Sequence, residues 1–192
     1  AIPVTSAAAP ISVAGFLFAN GEDDFAQSAV VVSGAVTGFS LSQVEAVLVG
    51  SNISDSIRVI TPDVAEIDIA FGARRILNLD GPDAVLFELS GDQPVGTPDY
   101  NERFWVSVFN GVEFSPFQVV VPIATGHDDP ADATLDVFAV QLDLTDYGIL
   151  AGASADRIRI RLVDNLVTRS ADPTGVGLLH SVPEPPAVSY LG

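Results

Sequence analysis

The chain has 192 residues with neither cysteine nor methionine, and its 8 cationic side chains, all arginine, face 25 aspartates and glutamates for a formal net charge of -17. Without cysteine there are no disulfides or thiolate metal sites, so the fold rests on its apolar core, and the acidic balance excludes a basic nucleic-acid surface and attraction to an anionic membrane. Hydrophobic residues make up 48% and charged residues 17%, which excludes the disordered acidic class; the length suits one domain.

Ala1–Pro10 is rich in alanine and proline. A chain that begins at Ala1 and lacks methionine reads as an exported one whose signal peptide has been removed. Ile11–Ala19 follows as an extended strand with apolar residues on both faces, Ile11, Val13, Phe16, Leu17 and Phe18 among them. Such a strand needs cover on both sides. Either it is the first strand of its own sandwich, or it completes a sheet of the next copy by β-strand addition and joins copies into a fibre. No apolar stretch reads as a membrane span, because Ala7–Ala19 is cut by Pro10 and contains Ser12 and Gly15.

Beyond this segment, apolar residues recur with period two or in short runs broken by Gly, Pro, Asp and Ser. The pattern predicts strands over Ser28–Val36, Val44–Val49, Ile57–Ile60, Val64–Phe71, Ala84–Leu89, Phe104–Phe109, Phe117–Ile123, Leu135–Leu142 and Arg157–Val163. Leu144–Leu150 admits one helical turn. Asn52-Ile53-Ser54 is the only Asn-x-Ser/Thr sequon; it falls between strands, so Asn52 is expected to be exposed and open to glycosylation.

Three acidic clusters lie in turns: Asn20 with Glu22, Asp23 and Asp24; Asp80 and Asp83 around Gly-Pro; and Asp128, Asp129 and Asp132 after His127. Hard oxygen donors on turns suit a structural calcium ion, although none has the spacing of an EF-hand. Solvated loops with turn-forming aspartates are the other reading of each cluster. Trp105, Phe104 and Tyr100 offer a sugar-stacking platform or aromatic core; adjacent Phe104 and Trp105 point to opposite faces of a strand, so at most one lies outside. In Asp156–Val163 the isoleucines and leucine alternate with Arg157, Arg159 and Arg161. That arginine ladder is either a docking stripe for an acidic partner or a set of cross-strand pairs with carboxylates such as Asp136 and Asp143. His127 and His180 are the only histidines, neither in a nucleophile-elbow context, and His180 adjoins a tail of doubtful order. The expectation is a non-catalytic protein.

The tail carries Val182-Pro183-Glu184-Pro185 followed by small apolar residues. It resembles the PEP-CTERM sorting signal of secreted bacterial proteins, although that family's following transmembrane helix and basic cluster do not occur here. The resemblance implies export and handling by an exosortase at the cell surface; the alternative is a proline-stiffened tail. A second likeness lies in the ordered series Leu79–Leu89, Phe104–Phe114, Leu142–Gly148 and Ile158–Asn165. This series looks like that of galactose-binding-like jelly-roll domains of cell-surface proteins, and implies a fold and a habitat without implying sugar binding.

The whole is expected to be a single jelly-roll-like antiparallel β-sandwich: residues 1–19 an arm or first strand, 20–170 the sandwich, and 171–192 a C-terminal tail. The expected role is a secreted, self-assembling subunit of a surface fibre or biofilm matrix, with calcium as the one candidate ligand ion. A cell-surface carbohydrate-binding or adhesion module with a polysaccharide partner is the alternative.

Overall fold

The computed structural model describes residues 8–36, 38–58, 64–164 and 169–184. In chain order the elements are β1 (Ile11–Val13), β2 (Phe16–Phe18), β3 (Ser28–Gly34), α1 (Leu41–Leu48), β4 (Val64–Ala70), β5 (Arg74–Leu77), β6 (Ala84–Gly91), β7 (Glu102–Phe109), β8 (Gln118–Val120), β9 (Ile123–Asp128), β10 (Leu135–Leu142), β11 (Ser154–Ala155), β12 (Arg157–Val163), β13 (Arg169–Ser170), β14 (Pro173–Leu178) and β15 (Ser181–Pro183). They form an all-β sandwich. A larger sheet runs β13-β7-β12-β4-β3 with β8 added on β7, and a four-stranded sheet runs β14-β6-β10-β9.

Alternation builds the larger sheet. Ile158, Ile160 and Leu162 of β12 are buried while the three arginines between them are half-buried, and β4 pairs with it residue for residue. The inward residues of both sheets meet in one core, where Leu86, Val140 and Val176 join Ile67, Val106 and Ile160. The four-stranded sheet has no solvent face at its centre. Val85, Phe87 and Leu89 of β6, with Val137 and Ala139 of β10, turn away from that core into a second one completed by Phe18, Phe25 and Ile53. A strand covered on both sides reads as an apolar run rather than as alternation, which is how β6 appears in the sequence.

Several expectations are corrected. Ile11–Ala19 is not one strand but a hairpin, with Ile11 opposite Phe18 and Val13 opposite Phe16. Its two-residue turn has positive φ at both Ala14 (45°) and Gly15 (85°), the combination that matches the twist of paired strands. Two apolar faces therefore become one, and Leu17 is left 65% exposed. Val44–Val49 lies largely in α1, not a strand. The Ser40 side chain accepts the Gln43 N–H while the Gln43 side chain accepts the Ser40 N–H, closing a capping box, and Val44 and Leu48, one turn apart, are buried. Of Ile57–Ile60, Ile57 and Arg58 belong to no strand and the rest lies outside the described residues.

The boundary expected at residue 170 falls inside the fold. β14 is buried along its whole length and pairs with β6; β15 pairs with β5 in a small sheet, β11-β5-β15. In β14, Val176 and Leu178 face the main core, whereas Gly177 receives the Phe18 ring, which a Cβ there would strike. The 3-10 turn Leu144–Tyr147, closed by Gly148 with φ 79°, is the expected single helical turn.

Candidate functional site

At one end of the sandwich three carboxylates from different elements come together. Glu88 on β6 shares the inward parity of Ala84 and Leu86, and Glu102 on β7 that of Phe104 and Val106, so the two sheets each send a glutamate into the layer between them. Asp99, from the loop joining β6 to β7, is the third. One oxygen from each of Glu88, Asp99 and Glu102 lies within 4.8 Å of the others, and among the described residues this is the one such group of potential metal ligands. Asp99 is held rigidly: its Oδ1 accepts the N–H groups of Asn101 (2.9 Å) and Glu102 (3.2 Å), and its Oδ2 accepts the Ser90 hydroxyl at 3.1 Å.

Glu88 is the unusual member. It is fully buried, and neither carboxylate oxygen has a hydrogen-bond partner of ordinary geometry. Burial pushes its carboxyl well above the usual range; the negative charges of Glu102, Asp99 and Asp172 add to this, and the Asp172 backbone opposes it. Nothing in the spacing of Glu88, Asp99 and Glu102 marks them as a set. The available signal is a lone glutamate inside the apolar run Ala84–Leu89, a position where an ionised carboxylate is costly.

The acidic residues singled out from the sequence do other work. Asp83 is buried; its Oδ1 accepts the Leu79 N–H (2.9 Å) and lies 3.0 Å from His180 Nδ1, and its Oδ2 accepts the Leu144 N–H (2.9 Å). Its lone pairs are thus spent on tying three chain segments together, and His180 is ordered by that contact. Asp80 stays exposed. Asp129 accepts the Ala131 N–H at 3.0 Å. Asp132 accepts both the hydroxyl and N–H of Thr134, which lower its carboxyl from the usual value. Asp128 is exposed on β9. These three do not converge on one point. Asp24 binds Asn20 and accepts the Ser181 hydroxyl at 2.6 Å, fastening β15 to the N-terminal region.

Asn52 is exposed, as expected, with its Oδ1 accepting the Ser54 N–H. Of the tail motif, Val182 and Pro183 lie in β15 opposite Arg75 and Arg74, and the Glu184 N–H donates to the Ala73 carbonyl; Pro185 lies outside the described residues. On the outer face of the larger sheet, the ladder arginines pair with neither Asp136 nor Asp143: Arg157 meets the adjacent Asp156 at 3.4 Å, and the other two pair across to β4. Arg159 holds Asp68 through two hydrogen bonds, and Arg161 holds Glu66 at 2.6 Å. Register explains this, since Arg159 sits opposite Asp68 and Arg161 opposite Glu66. The guanidinium groups of Arg157, Arg159 and Arg161 also cover the rings of Phe109, Phe114 and Phe117 at 4.0, 4.0 and 3.8 Å. Phe104 is buried and Trp105 points outward beside Arg161; Tyr100 is exposed on the loop.

The N-terminal hairpin docks by side chains. Phe18 packs on Phe25 with centroids 4.4 Å apart, and Phe16 meets Phe87 edge-on at 5.7 Å. β1 and β2 bond only to each other among the described strands. Clefts of about 470 and 320 Å³ border the hairpin, both lined by Ala14 and His127. Ile11, Val13, Phe16 and Phe18 thus serve their own chain in this structure. No protein-family model matches the sequence, and no curated protein is similar to it.

Proposed function

We propose that this protein is a non-catalytic structural subunit of the extracellular or cell-surface space, and that copies join by exchanging the N-terminal hairpin. The observation that carries this reading is the hairpin's isolation: its ladder is internal, and Phe16 and Phe18 fix it to the sandwich with clefts alongside. An element held in this way makes the same contacts when it docks on a second copy, so exchange needs no new interface. If each copy receives its hairpin from one neighbour and gives its own to another, the joint is head-to-tail and the product a fibre. The net charge of -17 discourages nonspecific association, leaving a specific joint to decide which copies meet. The resemblance of Val182–Pro185 to a bacterial sorting signal supports the address.

Electron micrographs test the reading. Purified wild-type protein at high concentration is expected to form regular polymers, and Phe18→Asp, which places a charge in the socket on Gly177, is expected to leave folded monomers. Wild-type protein that stays monomeric at every concentration, or Phe18→Asp protein that polymerises as wild type does, would refute it. A carbohydrate-binding or adhesion role is the second reading, favoured by the outward Trp105. Its neighbours Phe109, Phe114 and Phe117 already carry guanidinium groups on their faces, which leaves Trp105 and Tyr100 for a sugar. Retardation on polysaccharide gels that Trp105→Ala abolishes would support it.

A further inference from the structure

The geometry points to a calcium site formed by Glu88, Asp99 and Glu102 at the end of the sandwich beneath the loop between β6 and β7. Three features argue for a cation there. The first is convergence: the oxygens come from both sheets and a loop and lie within 4.8 Å of one another, although like charges repel. The second is Glu88, whose two oxygens are buried and without partners of ordinary geometry in the same cluster. A carboxylate so placed lacks the hydrogen bonds that usually accompany burial, and a bound cation supplies the missing interaction. The third is preorganisation. Asp99 is locked by three hydrogen bonds, and Glu88 and Glu102 stand on paired strands, so little ordering remains to be done on binding.

The donor set selects the ion. All three donors are carboxylates, with no histidine or cysteine in the group, which disfavours zinc and copper. Two oxygens on one ion can be no farther apart than twice the metal–oxygen distance. That limit is about 4.6–5.2 Å for calcium and about 4.0–4.2 Å for magnesium. The three oxygens lie within 4.8 Å of one another, inside the calcium limit, and a buried all-carboxylate site suits calcium better than magnesium, which sheds its waters reluctantly. A calcium ion here would cross-link the two sheets at an end where Asp172 adds further negative charge.

The test uses the whole chain after treatment with chelator, titrated with calcium by calorimetry and followed by thermal melting. Wild-type protein is expected to bind one calcium ion with a dissociation constant in the range of about 10⁻⁴–10⁻³ M or tighter. Saturating calcium is expected to raise its melting temperature by roughly 5–10 °C. Glu88→Gln is expected to weaken that binding at least about tenfold while keeping wild-type circular dichroism without metal, because the amide matches the buried carboxyl in size. Glu102→Gln provides the same test from the other sheet should the first variant fold poorly. Asp128→Asn and Asp132→Asn together are expected to bind as wild type does. No heat of binding and no change in melting at about 10 mM calcium would overturn the proposal, as would full calcium affinity in Glu88→Gln or Glu102→Gln. An equal stabilisation by magnesium would overturn the assignment to calcium.

Discussion

Asp172 precedes β14, and its carboxyl is pushed up to about 6, first by burial, with Arg58 opposing and Asp164 reinforcing the shift. The folded chain therefore keeps a proton that the unfolded chain releases near pH 3.9. Between that point and about pH 6 the native state binds more protons, so this residue's contribution to stability is greatest below the unfolded value and is lost as pH rises to about 6. With chelator present, Asp172→Asn should remove that loss. The variant should gain in melting temperature relative to wild type on going from pH 4 to pH 7, and an identical pH profile in the two proteins would contradict the assignment. Individual residues were also where the sequence was least legible. Asp83 reads as a turn aspartate near Gly-Pro, yet two of its hydrogen-bond partners, Leu144 and His180, come from 61 and 97 positions away. Glu88, Asp99 and Glu102 have no regular spacing, and only the packing of one sheet on the other brings them together.

Among the elements, the strands with clear alternation or uniform apolarity were readable, because burial on one or both faces writes itself into the sequence with period two. Leu135–Leu142 and Arg157–Val163 have the bounds that their patterns predict. α1 was hidden by the valines among its apolar residues, which suggest a strand, although Ser40 and Gln43 carried the capping signal. β14 was hidden for a different reason: Gly175 and Gly177 occupy positions where β-branched residues would be expected, because Ile53 and Phe18 fill the space beside them. The helix offers a simple check. Ser40→Ala removes the cap and should cost about 1 kcal/mol in urea unfolding, with little change in the slope; an unchanged midpoint would show that packing of Val44 and Leu48 alone defines the helix.

For the whole molecule, the two sheets close one core, and the four-stranded sheet uses its other face to seat the hairpin. Intramolecular docking and exchange use the same contacts, so an assembly test must separate donor from acceptor. Phe18 belongs to the donor and Gly177 to the acceptor. Phe18→Asp spoils the hairpin but leaves the socket, and Gly177→Val fills the socket but leaves the hairpin. The decisive measurement is the mass by light scattering of each variant alone and of the two mixed after brief partial unfolding. Hairpin exchange requires both variants to be monomers alone and to form a one-to-one dimer when mixed, the Gly177→Val hairpin occupying the Phe18→Asp socket. A mixture that remains monomeric, from variants that are each folded, would contradict exchange and leave the hairpin as a part of its own sandwich.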